Sequence, residues 1–100
     1  MTSNYKSFLT EDRRLCTLRI LQETGGSAND SILHTALERL GHNRVPRSEI
    51  RSDLRFLIKH GLLVEEWYED VMVVTITQRG VEVARGAIAI DGIKRPSIGV

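Results

Sequence analysis

Apolar residues recur at helical spacing along four stretches of this chain, and one β-branched run breaks that period in the C-terminal half. The most regular stretch is VPRSEIRSDLRFLIKHGLL, Val45 to Leu63. Here Ile50, Leu54, Leu57 and Ile58 stand at i, i+4, i+7 and i+8, one face of a 3.6-residue repeat. A helix is predicted to begin at or just after Pro46, where the missing N–H costs nothing. It is predicted to stop near His60, because Gly61 suits the left-handed position beyond a helix end. Ser48, Arg51, Ser52, Arg55 and Lys59 take the opposite, solvent side.

The other elements follow from similar signals. Residues 1–9 are polar and are expected to be a flexible segment, with Tyr5 and Phe8 as its only anchors. Thr10 is placed as the N-cap of a first helix running to about Glu23 or Thr24, with Glu11 and Asp12 where the helix dipole favours acids and Gly25-Gly26 as the stop. On a helical wheel Leu15, Leu18 and Leu21 make one apolar group and Cys16 and Ile20 a second. A helix with two apolar faces needs two neighbours, and a second copy of the chain is a candidate for one of them. Ser27, three residues before Asp30, has the capping-box spacing for a second helix that closes at Gly41, with Ile32, Leu33, Ala36, Leu37 and Leu40 inward and Asp30, His34 and Glu38 outside. Only GHNRV separates this helix from the next, so the pair must cross at an angle, as in a helix-turn-helix unit.

After Gly61 the period changes. Leu62–Tyr68 and the β-branched run Val71–Thr77 read as two antiparallel strands turning at Glu69-Asp70. Trp67 and Tyr68 point to opposite faces of their strand, so one of them is expected in the core. Thr77 then caps a last helix to about Ile88, with Val81, Ala84, Ala87 and Ile88 inward. Residues 89–100 hold Gly92, Pro96 and Gly99, have no helical period and form a tail, on which Ile90, Ile93 and Ile98 are the apolar positions. The expected architecture is mainly α with a small β-hairpin, in a single domain spanning residues 10–88.

Charge changes this picture only locally. The net charge is +1 overall, which gives no global basic field. From Gly41 to His60, however, Arg44, Arg47, Arg51, Arg55 and Lys59 face only Glu49 and Asp53, a net of +3, whereas Gly61–Thr77 carries Glu65, Glu66, Glu69 and Asp70 and a net of −4. The basic third helix, with its small hydroxyls, has the composition of one that enters a DNA major groove, where arginine reads guanine edges and small polar residues contact phosphate. The candidate DNA contacts are Arg47, Ser48, Arg51, Ser52, Arg55 and Lys59.

These elements resemble the winged helix-turn-helix domains of small bacterial regulators of the ArsR, MarR and PadR families. RSEIRSDLRFLIKHGLL is similar to their recognition helix and its exit, and TITQRG at Thr75–Gly80 to the entry of their final helix. A closer resemblance covers nearly the whole chain, to the small ArsR-like winged-helix proteins of Mu-like phages and prophages. It rests on the EDRRL helix start (Glu11–Leu15), Ala28-Asn29, Arg51–Leu54, Thr77–Gly80, Val83–Gly86 and the G-[IV]-K-R-P tail at Gly92–Pro96. What it implies is a fold of three helices, a two-stranded wing and a C-terminal helix; with the basic third helix and the two-faced first helix, the expectation is double-stranded DNA as partner, a homodimer as the working form and transcriptional regulation as the role. The acidic wing tip departs from the pattern, because four carboxylates beside a phosphate backbone are repelled. The alternative is a protein-interaction module in phage assembly, packaging or host takeover, with Phe56, Glu65, Glu66, Glu69, Asp70, Lys94 and Arg95 as contacts.

Other chemistries have little to stand on. The histidines His34, His42 and His60 lie in no context that suggests a catalytic base, so no enzyme and no cofactor are expected. Cys16 is the lone cysteine, which excludes an internal disulfide, fits a reducing bacterial cytoplasm, and supplies too few thiolates for a clustered metal site. No apolar run approaches the ~18 residues of a membrane span.

Overall fold

A computed structural model describes residues 5–96. In chain order the elements are α1 (Tyr5–Glu23), β1 (Ser27–Asn29), α2 (Asp30–Arg39), α3 (Arg47–Lys59), β2 (Leu63–Tyr68), β3 (Val71–Ile76) and α4 (Gln78–Ala84). Four helices pack with one three-stranded antiparallel sheet of order β1-β3-β2.

Helix α1 is the element the others gather on, since it touches α2, α3, α4, β1 and β3. It starts at Tyr5, so Thr10 is an interior residue and not the expected cap. Nothing between Tyr5 and Thr10 breaks a helix, and the local cap signal lost to simple continuation. The first four residues of the segment expected to be flexible lie outside the described residues. Leu15, Leu18 and Leu21 are buried, and so is Ile20 from the second apolar group, while half-buried Cys16 packs against the same core. Both faces of α1 are therefore used inside one chain. Gly26 closes the helix by donating its N–H to the Leu21 carbonyl at 2.7 Å.

The expected two-stranded hairpin is one part of a larger sheet. Ser27, Ala28 and Asn29 pair with Thr75, Val74 and Val73 of β3, so Ser27 is a strand residue whose Oγ lies 2.7 Å from Thr75 Oγ1. The cap of α2 is Asn29, whose Oδ1 accepts from the Ile32 N–H at 2.8 Å. A capping signal at Ser27 is local, whereas its ladder partner lies 48 residues away, and the long-range partner won. The buried side of α2 is also narrower than expected: Leu33 and Leu37 are inside, but Ile32 and Leu40 are 51% and 56% exposed, and Asp30 is buried.

Helix α3 follows the expected limits, with Pro46 before it, His60 at its end and Gly61 at φ +77°. Ile50, Leu54 and Leu57 are buried, and Ile58 is half-buried. The hairpin turns at Glu69-Asp70 with Tyr68 opposite Val71. Trp67 and Tyr68 are both exposed, at 53% and 60%, against the expectation that one enters the core. Burial on β2 ends at Leu63, and Trp67 opposite Met72 projects past it.

Thr77 caps α4 as expected, accepting from the Gly80 N–H at 3.0 Å and donating to the Gly61 carbonyl at 2.7 Å. A Cβ on Gly80 would come within 2.4 Å of the Leu62 carbonyl oxygen, so only glycine lets α4 lie this close to the strand entry. The helix ends at Ala84 instead of Ile88, because Gly86 turns the chain at φ +87°; Val83 and Ala84 face inward, and Ala87 is exposed. From there the chain returns to α1, burying Ile93 and donating the Lys94 N–H to the Glu11 carbonyl at 3.2 Å. Ile98 lies outside the described residues.

One buried ionic cluster joins the two longest helices. Asp53 of α3 accepts from Arg13 Nε and, at 3.1 Å, from Arg14 Nε, both on α1. Removing one partner strands buried charge, which costs about 3–5 kcal/mol. We expect Asp53→Ala to lower the unfolding free energy by that order in a urea titration. A loss under about 1 kcal/mol, the size of an exposed pair, would contradict this account.

Candidate nucleic-acid interface

With Ile50, Leu54 and Leu57 turned into the core, the geometry of a helix leaves Ser48, Ser52, Arg55 and Lys59 in one exposed stripe, at i, i+4, i+7 and i+11. Arg47 is also exposed, and its Nη2 donates to Ser31 Oγ of α2 at 3.3 Å. Arg51 is different. Its guanidinium holds Asp30 Oδ2 through both Nε and Nη2 at 3.0 Å, so this arginine fixes the angle between α2 and α3 and presents only part of its edge to solvent. Of the six residues expected to contact DNA, five are exposed and one is partly engaged inside the chain.

The hairpin borders the same surface. By strand alternation Glu65 and Trp67 share the face of Leu63, and with Arg51, Arg55 and Met72 they line a groove of about 180 Å³. Trp67 Nε1 donates to Glu65 Oε1 at 2.8 Å. Glu66 and Tyr68 occupy the other face, where the Tyr68 hydroxyl donates to Glu66 at 3.2 Å; that carboxylate holds the phenol above its ordinary pKa. Glu65, Glu66, Glu69 and Asp70 are all exposed. The basic stripe and one side of the acidic hairpin therefore border a common groove, while Glu66 belongs to the back.

Phe56 is half-covered by the chain itself. The Arg14 guanidinium sits 3.9 Å above its ring, His60 lies beside it at 4.3 Å between centroids, and a Cβ on Gly92 would meet the ring at 2.8 Å. Lys94 pairs with Asp12 Oδ1 at 3.3 Å and lies 5.5 Å from the Phe8 ring centroid, whereas Arg95 is exposed. Phe56 and Lys94 thus serve the docking of the C-terminal segment, and Arg95 remains on the surface.

Comparison with known proteins places the chain. It is 43% identical over 88 residues to a protein of Escherichia phage Mu described as uncharacterized protein gp26, an alignment that covers 88% of this chain and 91% of the phage protein. The chain belongs to the gp26 family of Mu-like phages. An uncharacterized protein of Haemophilus influenzae is 42% identical over 77 residues, covering 76% of this chain and 74% of that protein. No protein-family model matches. Among the described residues of this gp26 relative, no helix is long and apolar enough to cross a membrane.

Several functional-looking contacts of this gp26-family chain escaped the sequence. Asp30 reads as a residue of the polar side of α2 and Asp53 only as an anion on α3, yet both are buried acceptors for arginines from other elements. A weak signal existed for Asp53, since it falls beside Ile50 and Leu54 on the apolar arc. Asp12 meets His42 Nε2 at 2.8 Å as well as Lys94, from points 30 and 82 residues away, and no local pattern links them.

Burial alone would raise the Asp12 pKa, but hydrogen bonds and attraction from His42 and Lys94 pull it below the ordinary 3.8. As pH falls, the unfolded chain protonates this group first, so the native state binds fewer protons there. The stabilisation is complete above about 3.8 and is lost as pH drops through the lower native value. We expect Asp12→Asn to flatten part of the acid-side loss of stability in denaturation series run at successive pH values; an unchanged acid limb would contradict this.

Proposed function

We propose that this gp26-family protein is a winged helix-turn-helix DNA-binding protein, a phage or prophage transcriptional regulator that lays α3 in the major groove. The observation that carries the reading is the exposed stripe Ser48, Ser52, Arg55 and Lys59 on a helix whose opposite side is fully anchored in the core. Sequence-independent attraction would come from Arg47, Arg55 and Lys59, and base contacts from Arg55 with a smaller share from Arg51. The crossing of α2 and α3, held by Arg51 and Asp30, and the hairpin after α3 match the winged-helix order, and β1 supplies the third strand of its sheet. Two copies would bind a two-fold symmetric site. Their contact would lie away from the apolar faces of α1, which are occupied within the chain.

The hairpin favours a second reading. Val64, Trp67, Tyr68 and Val71 are exposed on an element that also carries four carboxylates. Exposed apolar side chains interleaved with acids on both faces of a hairpin suit a basic protein partner, in which case the chain serves phage assembly, packaging or host takeover.

Under the first reading, duplex affinity measured across a salt series follows a log–log slope of about −5, for roughly six phosphates neutralised per dimer. Arg55→Ala weakens binding by about 1–3 kcal/mol, and Glu65→Gln strengthens it by removing a carboxylate from the shared groove. A slope near zero excludes DNA binding. Under the second reading Glu66→Lys with Asp70→Lys abolishes phage function while Arg55→Ala is silent, and the reverse pattern excludes it.

A further inference from the structure

Away from the α3 surface, three side chains of different chemistry converge between α1 and the α2–α3 turn. Asp12 and Cys16 stand one helical turn apart on α1, and His42 comes in from the turn with its side chain more than nine-tenths buried. Cys16 Sγ donates to Asp12 Oδ2 at 3.7 Å, His42 Nε2 lies 2.8 Å from that same oxygen, and all three atoms fall within 4.8 Å of one another. We propose that Asp12, Cys16 and His42 form a binding site for a divalent cation of the zinc class, with one coordination position left for water or another ligand.

The donor set is one thiolate, one imidazole and one carboxylate. Such a mixture favours zinc and its neighbours in the first transition row over magnesium or calcium, which call for oxygen alone. Bond lengths of about 2.0–2.3 Å at a tetrahedral ion place carboxylate oxygen about 3.6 Å from sulfur and about 3.4 Å from nitrogen. The first separation already matches. The second needs the imidazole to withdraw by roughly half an ångström, and sulfur and nitrogen, which lie within 4.8 Å, to settle about 3.6 Å apart, adjustments open to a side chain hinged on a turn.

The surroundings are those of a ligand shell. The two oxygens of Asp12 divide their tasks: Oδ2 faces the sulfur and the imidazole, and Oδ1 takes the Lys94 ammonium at 3.3 Å. A coordinating carboxylate is commonly steadied through its second oxygen in this way. The His42 backbone is held by its N–H donating to the Leu37 carbonyl at 2.9 Å, and Gly41 at φ +99° turns the chain so that the ring enters the cluster. A metal here releases the thiol proton to solvent on forming the metal–sulfur bond, and no oxidant or reductant is involved. It would fasten α1 to the turn that sets the approach of α3. This proposal is independent of DNA binding.

The test uses untagged full-length protein, reduced and stripped of metal, titrated with Co²⁺ and then with Zn²⁺. The expected result is a near-ultraviolet thiolate-to-cobalt absorption that saturates at one ion per chain and disappears as Zn²⁺ displaces it. Cys16→Ser should abolish the band, and His42→Gln should weaken Co²⁺ binding by at least about tenfold, in proteins whose circular dichroism is unchanged. If the wild-type chain gives no such band, the proposal is overturned whether or not the variants fold. Retention of the band at wild-type affinity in a folded His42→Gln protein overturns it equally.

Discussion

The attachment of α3 to α1 is the constraint on which the rest of this structure depends, and Asp53 is its polar centre. Leu54 and Leu57 supply apolar contact, which holds two helices together but permits them to slide. A carboxylate that must satisfy Arg13 and Arg14 at fixed positions on α1 does not permit it. Arg14 extends the same network by donating to the Gly92 carbonyl at 3.0 Å and covering Phe56. One side chain of α1 thereby registers α3 and the C-terminal segment together. The outer stripe of α3 is presented at a defined angle because its inner side is pinned by directional bonds as well as by oil.

The same logic recurs at the other junction. Arg51 and Asp30 fix α2 against α3, and Arg47 reaches Ser31 nearby. A residue that reads as a ligand contact on a helical wheel can thus be a brace within the fold. Arg55 and Lys59, one and two turns further on, are exposed, and Arg55 borders the groove that Glu65 also lines. Under the proposed reading, the contact face is the part of the basic helix that the fold does not consume.

How much of this could be read from residues alone follows the distance over which each signal acts. Helix α3 was legible to within a residue because Pro46, Gly61 and the spacing of Ile50, Leu54 and Leu57 are all local. The hairpin turn at Glu69-Asp70 was equally plain. Strand β1 was not, since three residues with a capping signal become a strand only when Val73–Thr75 offer them an edge. The same limit hid Asp12 with His42 and Lys94, and Asp53 with its arginines. Trp67 misled for another reason: alternation tells which face a side chain takes but not how far the covering core extends along the strand.

Strand order carries one more consequence. With β3 in the middle, β2 has a strand neighbour on one side only among the described residues, and its outer margin is a row of backbone donors and acceptors, from alternate residues, that no strand pairs. Such a margin invites another copy to add itself, strand on strand, without end. Glu65 and Glu66 sit in the middle of that row, and stacking identical strands would bring like charges together at each step. Carboxylates that look ill suited to a nucleic-acid surface thus weigh against strand-on-strand addition at this edge.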